Sequence, residues 1–222
     1  LVGSEMCIRD SLMAGAQITV FVGLVAVGIA AVVGVPLGIL AGMRRGTWAD
    51  ALVMRSADLL LAFPALLLAI IAGAVWGPST LTAMIAIGIA GIPSFARVAR
   101  SGTLQVITQD YISSARISAV PGWKVAWRHI LPNLAGLLIV QASVYFALAI
   151  LAEAGLSYLG LGTAPPAASW GRMLQDSQSL LGTAPLQAFW PGLAIAATVL
   201  GFNLLGDALR DLLDPRLKGS AR

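Results

Sequence analysis

The chain has 222 residues, of which 58% are hydrophobic and only 11% carry a charge, and its formal net charge is +4. An ordinary soluble domain carries about 25% charged residues, so this composition excludes one and predicts a protein of the lipid bilayer. The basic residues lie in loops between apolar stretches without an aromatic platform, which argues against nucleic-acid binding. The single cysteine, Cys7, excludes an intrachain disulfide. The single histidine, His129, lacks the partners that a metal site needs.

Residues 1–10 do not share the apolar character of the neighbouring residues 11–43. They mix Glu5, Cys7, Arg9 and Asp10 without periodicity. They resemble the translated adapter sequence found at the ends of metagenomic reading frames, and we expect a non-native leader here.

The segment from residue 11 to residue 43 contains no charged residue, and about 20 apolar residues suffice to cross the hydrocarbon core. It predicts one long, tilted span that ends at a basic loop with Arg44, Arg45 and Arg55. Pro36 is expected to kink this span. Four glycines are expected to let neighbouring helices approach closely: Gly23, Gly28, Gly34 and Gly38.

The next uncharged run, residues 59–96, has 38 residues, and as one helix it would extend about 57 Å. That is nearly twice the hydrocarbon thickness. The run therefore predicts two spans, residues 58–75 and 80–96, which turn back at a Trp-Gly-Pro-Ser sequence, residues 76–79. Pro64 and Pro93 are expected to bend these helices rather than end them.

A polar stretch, residues 97–133, comes next and holds five basic residues against one acid, Asp110. Asp110 is a good N-cap, so we expect a short helix from Tyr111 to about Ala119. A second helix is expected from Trp123 to Pro132, with an apolar face toward lipid and a basic face toward head groups.

Three features complete the predicted chain. Residues 130–152 form a fourth span, whose outer end is marked by Glu153. Residues 155–187 are mixed in character, with a short amphipathic helix expected around residues 170–181. The last span covers residues 189–206 and is followed by a polar end, of which residues 217–222 are a tail.

The distribution of basic residues predicts the orientation of these five spans. Only Arg172 lies between spans on the side opposite the central loop. Because basic residues accumulate in cytoplasmic loops, the central loop and the C-terminus are expected in the cytoplasm. Twelve basic residues fall on that side: Arg44, Arg45, Arg55, Arg97, Arg100, Arg116, Lys124, Arg128, Arg210, Arg216, Lys218 and Arg222.

The sequence offers no catalytic constellation and no phosphate-binding loop, because neither Lys124 nor Lys218 stands in a GxxxxGK[ST] pattern. No enzyme activity and no cofactor or metal is expected. Asp58, Glu153 and Asp207 all lie near predicted span ends, and the lack of ionisable groups at membrane depth weighs against an ion-coupled carrier. Energy for transport is therefore expected from another subunit.

The central loop resembles the cytoplasmic EAA loop of the membrane-spanning subunits of ABC importers. That pattern is Glu-Ala-Ala, three residues, Gly, nine residues and an Ile-x-Leu-Pro-like end. The chain keeps the spacing and matches by residue type at Ala115, Leu131 and Pro132, whereas Ser113, Ser114, Ala119 and His129 replace the family's residues. The resemblance implies an ATPase-coupling surface made by Tyr111, Ser113, Ser114, Ala115, Arg116, Ala119, Leu131 and Pro132.

Two later segments are similar to the dipeptide and oligopeptide importer permeases: GLSYLGLGTAPPAASWGRML at residues 155–174 and PGLAIAATVLGFNLLGDALRDLLDPR at residues 191–216. GVPLGILAG at residues 34–42 and DLLLAFPALLLAI at residues 58–70 also resemble this subunit. The resemblance implies an all-α, type I ABC importer transmembrane domain over residues 11–216. The family's first helix is expected to be missing.

This resemblance implies a permease subunit that forms half of a translocation pathway in the cell inner membrane. Its implied partners are a second permease subunit, two ATPase subunits and an extracytoplasmic substrate-binding protein. Dipeptides or oligopeptides are the implied cargo, although nickel-importing relatives share this subunit type. The alternatives are a stand-alone channel or ion-coupled carrier and, behind them, a membrane-embedded enzyme. Polar residues within the spans either line the pathway or bond to a neighbouring helix: Gln141, Ser143 and Asn203.

Overall fold

The computed structural model describes residues 2–112, 118–164 and 166–213, with side chains from residue 8 to residue 212 within those ranges. In these ranges the regular elements are all helices. We number them in chain order: α1 Val2–Met43, α2 Trp48–Leu61, α3 Ala65–Trp76, α4 Thr80–Ile107, α5 Gly122–Tyr158, α6 Trp170–Ser177 and α7 Leu186–Leu213.

Four of the described helices are long and apolar enough to cross a bilayer, namely α1, α4, α5 and α7. A fifth crossing is added if α2 and α3 together form one bent span. The expected all-α membrane architecture is thereby confirmed. α6, followed by a short turn at Gln178–Leu180, occupies the place where a short amphipathic helix was predicted.

The expectation that Pro64 bends a helix without ending it is wrong, because two helices, α2 and α3, meet there at an angle of 80°. α2 ends at Leu61, and Pro64 is the N-cap of α3. Proline has no N–H to donate and disfavours helical geometry in the residue before it, so the helix stops and a new one starts. Pro93, in contrast, lies inside the continuous helix α4, as expected.

Helices α1 and α4 pack closely through glycines spaced four residues apart. A Cβ built at Gly34 would lie 2.6 Å from the carbonyl oxygen of Ile92, and one at Gly38 would overlap the carbonyl oxygen of Ala96. Gly42 faces the side chain of Thr103, whose Cβ would lie 2.7 Å from a Cβ built at Gly42. Because glycine has no side chain, α1 lies directly against the backbone of α4 at Gly34 and Gly38. We call the contact at Gly34, Gly38 and Gly42 the glycine seam.

Of the other two glycines predicted to allow close helix approach, one does so and one does not. A Cβ at Gly23 would lie 2.7 Å from the ring of Phe146 on α5, so close approach is confirmed at Gly23 as it is at Gly34 and Gly38. At Gly28 it is wrong, because nothing lies within 4 Å of a Cβ built there.

Helices α4 and α5 extend far into the stretch that was expected to stand outside the bilayer. α4 continues to Ile107, well past the predicted end at residue 96. α5 begins at Gly122, passes through a π-helical turn at Ala126–Ile130 and continues to Tyr158. The connection between them is correspondingly short.

Pro132 does not end a helix as predicted, because it lies within the first two positions after the π turn. A proline there removes one backbone donor, and the wider turn before it accommodates the ring. The side-chain amide of Asn133 donates instead to the carbonyl oxygen of His129, at 2.6 Å. The predicted interfacial helix and the fourth span are therefore one continuous helix.

The expected leader stays a prediction. α1 begins at Val2 and runs through this segment without a break, and the exposed side chains of Arg9 and Asp10 approach to 3.6 Å. The last helix, α7, likewise extends past the predicted span end and includes Asp207 and Arg210.

Candidate functional site

The connection between α4 and α5 contains the predicted coupling residues. Gln109 accepts a backbone hydrogen bond from Ile112, and helical residues begin at Asp110, one residue before the predicted start at Tyr111. The described chain resumes at Ser118, within a turn. Four predicted coupling residues lie outside the described residues: Ser113, Ser114, Ala115 and Arg116.

Ile112 fixes this connection to the helices, and sequence reasoning missed it. Its side chain is fully buried in an apolar cluster with Phe95 of α4 and with Val125, Ile130 and Leu134 of α5. The neighbouring Tyr111 is 46% exposed. The available signal was a bulky branched residue preceding a run of small ones, which marks it as the buried position of the short helix.

The remaining predicted coupling residues take different positions. The Tyr111 ring lies 6.3 Å from the ring of His129, so the start of the connection contacts α5 directly. Ala119 is exposed and has φ +54°, whereas Leu131 is half-buried against the apolar cluster and Pro132 is exposed. A concave surface of about 540 Å³ is lined by Ser118, Ala119, Val120, Pro121, Lys124, Arg128 and His129.

The φ angle of Ala119 explains why the family's loop pattern has glycine at this place. A positive φ costs an ordinary residue roughly 1 to 2 kcal/mol because its Cβ approaches the carbonyl oxygen. Glycine has no such cost. The turn at Ser118 and Ala119 is therefore built with a strained residue.

Two ion pairs join α2 to α4 at this end of the molecule. Arg100 pairs with the mostly buried Asp50, and Arg97 pairs with the exposed Asp58. Asp50 also accepts a hydrogen bond from the backbone N–H of Gly46, at 3.1 Å, in the loop after α1. The ends of α1, α2 and α4 are thereby held together next to the connection.

Glu153 is a second residue whose importance the sequence did not reveal. It does not mark an exposed outer end, because it lies inside α5 and is fully buried. Ser157 donates to its Oε1 at 2.6 Å, and Thr163 and Thr19 donate to its carboxylate at 3.4 Å each. Glu153 lies near the end of α5, which ends at Tyr158, but it is buried among other side chains rather than exposed.

This carboxylate ties the segment between α5 and α6 to two helices. The N–H of Thr163 donates to the Ser157 hydroxyl at 3.0 Å, and the N–H of Trp170 donates to the Thr19 hydroxyl at 3.3 Å. The indole of Trp170 also donates to the carbonyl oxygen of Leu12, at 3.0 Å. We call Thr19, Glu153, Ser157 and Thr163 the outer polar cluster.

The three candidate pathway residues all lie on the contacting pair α5 and α7. Ser143 donates to the carbonyl oxygen of Ile139, at 3.0 Å, and packs directly against Gly206. It therefore takes part in helix packing. Gln141 and Asn203 are half-buried. In the described part of the chain, no group of three or more metal-binding side chains comes together.

Comparison with known proteins decides the family. Residues 34–219 match the family described as the binding-protein-dependent transport system inner membrane component. The chain belongs to this family. It is also 43% identical over 211 residues to the glutathione transport system permease protein GsiD of Pectobacterium atrosepticum, covering 95% of this chain and 70% of that protein.

A second relative has the same level of identity. The chain is 43% identical over 204 residues to the dipeptide transport system permease protein DppC of Alkalihalophilus pseudofirmus. The match covers 92% of this chain and 67% of that protein. The resemblance to peptide importer permeases inferred from the sequence motifs is therefore confirmed.

Solved structures give the same fold at low sequence identity. An inward-facing structure of the MetNI methionine ABC transporter matches with a TM-score of 0.78 at 17% identity, covering 93% of this chain and 97% of that one. An amino acid ABC transporter matches with a TM-score of 0.67, also at 17% identity. The expected type I ABC importer transmembrane fold is confirmed.

Family membership also decides between the alternatives weighed from the sequence. The burial of Glu153 near the end of α5 does not by itself favour an ion-coupled carrier. The carrier is disfavoured instead because the matched family consists of inner-membrane components of binding-protein-dependent transport systems.

Proposed function

We propose that this chain is the permease subunit that forms half of the translocation pathway of an ATP-driven importer of dipeptides or oligopeptides. Support for the cargo class comes from the relatives named for dipeptide and glutathione transport. We propose as partners a second permease subunit, two ATPase subunits and an extracytoplasmic binding protein. ATP hydrolysis takes place in the ATPase subunits.

The observation that carries the coupling role is the burial of Ile112 beside the exposed Tyr111. Ile112 inserts between the ends of α4 and α5, among Phe95, Ile130 and Leu134. A load applied to residues 111–119 by an ATPase is therefore transmitted to both helices and, through the glycine seam, to α1. The proposed docking surface comprises Tyr111, Ser113, Ser114, Ala115, Arg116 and Ala119, with Leu131 and Pro132 at the base of α5.

The coupling role is tested by Ala115→Arg in the assembled complex. A long charged side chain at a docking surface commonly costs about 2 to 5 kcal/mol, which corresponds to a roughly 30-fold or greater loss of ATPase association. Co-purification of the ATPases and transport are measured beside membrane abundance. Thr108→Arg, at an exposed site in the same connection, is the matched control. Full transport and full ATPase retention in Ala115→Arg would show that this segment is not the docking surface.

Ile112→Ala separates docking from transmission. The variant keeps the exposed surface and removes the buried anchor, so we expect ATPases to co-purify while transport falls. ATP hydrolysis that persists without import is the signature of this uncoupling. Loss of both docking and transport together would assign Ile112 to simple folding of the connection.

We also propose that the connection and the C-terminus face the cytoplasm. In the structure the basic ends of α1, α4 and α5 lie together, while Arg172 lies at the other end with α6. In a background without Cys7, cysteines at the exposed Ala167 and Gly182 should react with an impermeant thiol reagent outside cells, and one at Gln109 should not. Ser169 is unsuitable as a probe because it is fully buried.

The substrate pathway is proposed to run beside α5 and α7. Gln141 and Asn203 are its candidate polar contacts, and Ser143 contributes mainly to packing.

The purified subunit alone is expected neither to bind nor to hydrolyse ATP, and ATP hydrolysis should appear when its ATPase subunits are added. Saturable ATP turnover by this chain alone would overturn its assignment as the permease subunit of an ATP-driven importer.

A further inference from the structure

A groove of about 570 Å³ lies between the end of α1 and the beginning of α5. Its floor is formed by Val35 and Ile39, which belong to the buried core. Its outer wall is formed by Trp123 and Trp127, whose side chains are 69% and 72% exposed. Apart from Arg44, the residues that line the groove are apolar, and the groove is open to the surroundings of the helices.

The length of the groove matches one leaflet of a bilayer. Arg44 follows Val35 by nine residues, and at the helical rise of 1.5 Å per residue this distance along α1 is about 14 Å. That is roughly half of the 30 Å hydrocarbon core. Tryptophans prefer the level of the head groups, and here they lie at the end of the groove where the basic residues begin.

Arg44 is the charged residue that lines the groove, and none of the described residues that line it is acidic. Lys124 lies nearby on α5, with its Nζ 5.5 Å from the centre of the Trp123 ring. Within the described ranges, neither Arg44 nor Lys124 forms an ion pair with an acid. The opening of the groove is thus positively charged without a counter-ion from this part of the chain.

We propose that this groove binds an anionic phospholipid, with one acyl chain along Val35 and Ile39 and the phosphodiester beside Arg44. A basic opening between transmembrane helices is the arrangement that recognises anionic head groups, and the apolar floor excludes a small soluble anion as the occupant. A zwitterionic lipid would fill the same apolar volume, but its head group would be attracted less strongly to the basic opening. Lipid binding in this groove does not depend on ATPase coupling, so either proposal can be wrong without the other.

The test measures lipid retained by the full chain in its purified transport complex, by native mass spectrometry. Phosphatidylglycerol and phosphatidylcholine with identical acyl chains are offered at equal concentration. We expect phosphatidylglycerol to be retained preferentially. Arg44→Gln should reduce its retention about five-fold, which corresponds to the loss of about 1 kcal/mol that one basic residue contributes near an anionic surface.

Two further variants keep the test decisive. Arg55→Gln removes the same charge from an exposed position on α2 that does not line the groove, and it should retain lipid normally. Leu40→Trp fills the groove from its partly exposed wall and should reduce retention of both lipids. Equal retention of the two lipids by the unmutated chain, or equal losses in Arg44→Gln and Arg55→Gln, would overturn the proposal.

A protein occupant is distinguished by photocrosslinking. A photoreactive amino acid in place of Trp127 should crosslink to lipid. If it crosslinks instead to another subunit of the complex, the groove is a protein interface and the lipid proposal is wrong.

Discussion

Arg100 on α4 donates hydrogen bonds to both carboxylate oxygens of Asp50 on α2, from Nε at 2.7 Å and from Nη2 at 2.9 Å. The Asp50 side chain is only 9% exposed, and that of Arg100 is 28% exposed. A planar guanidinium held by two parallel bonds fixes both direction and distance. α2 is therefore attached to α4 at one defined angle, next to the connection that we propose as the ATPase contact.

The first prediction concerns this pair. A double-mutant cycle with Asp50→Ala and Arg100→Ala is expected to give a coupling energy of about 1.5 to 3 kcal/mol, as for hydrogen bonds to charged groups. The same cycle on Arg97 and Asp58, whose side chains are 51% and 56% exposed, should give about 0.2 to 1 kcal/mol. Thermal unfolding in detergent measures both. Equal coupling in the two cycles would contradict the assigned difference in burial.

The second prediction concerns the glycine seam. Gly38→Ala places a methyl group on the backbone carbonyl of Ala96, so α1 and α4 must separate, at a cost of about 1 to 3 kcal/mol for overpacking. Gly28→Ala is the matched control in the same helix, because a Cβ there has nothing within 4 Å. We expect a lower melting temperature only for Gly38→Ala. Indistinguishable melting temperatures would show that α1 and α4 are not in backbone contact.

The third prediction concerns Ala119. Ala119→Gly relieves the positive φ and should stabilise the connection by about 1 kcal/mol, which is the lower end of the cost for an ordinary residue. Ala51→Gly, at an exposed position within α2, should destabilise by about 1 kcal/mol because glycine weakens helix interiors. Limited proteolysis of the connection and thermal unfolding report the two effects. The same sign in both variants would be inconsistent with the observed backbone.

The fourth prediction concerns the outer polar cluster. Glu153→Gln keeps an acceptor oxygen for the hydroxyls, whereas Glu153→Leu leaves buried hydroxyls without a partner, each costing about 1 to 3 kcal/mol. We expect a cysteine at Ala167 to react faster in Glu153→Leu than in Glu153→Gln, because the outer segment loosens. Equal labelling rates in the two variants would mean that this carboxylate does not hold the segment.

Sequence reasoning succeeded where one local property determines the structure. Long uncharged runs located the apolar helices, and glycines on α1 predicted the close approach of a neighbouring helix at Gly34 and Gly38, which the structure shows to be α4. It failed at Gly28 because the rotation of a helix against its neighbours depends on the whole packing arrangement. It also failed at Pro64, where a proline either bends or ends a helix according to the elements that pack on each side.

Glu153 and Ile112 could not be assigned from sequence for a different reason. The partners of Glu153 include Thr19, which is 134 positions away in the chain, and no local pattern brings them together. The sequence prediction placed Glu153 at a helix end because it assumed that a helix crosses the membrane with about 20 residues. α5 instead has 37 residues. Ile112 has a local signal, as a bulky branched residue before a run of small ones, but its burial depends on Phe95 and Leu134 of other helices.

The glycine seam also limits how the subunit can change shape. Interdigitated side chains can adopt alternative rotamers as two helices slide, but the backbones in contact at Gly34 and Gly38 have no such freedom. α1 and α4 must therefore move together as one rigid unit. Opening and closing of the pathway is left to helix contacts that side chains mediate, such as the one between α5 and α7, where the rings of Phe146 and Phe202 have their centres 3.9 Å apart.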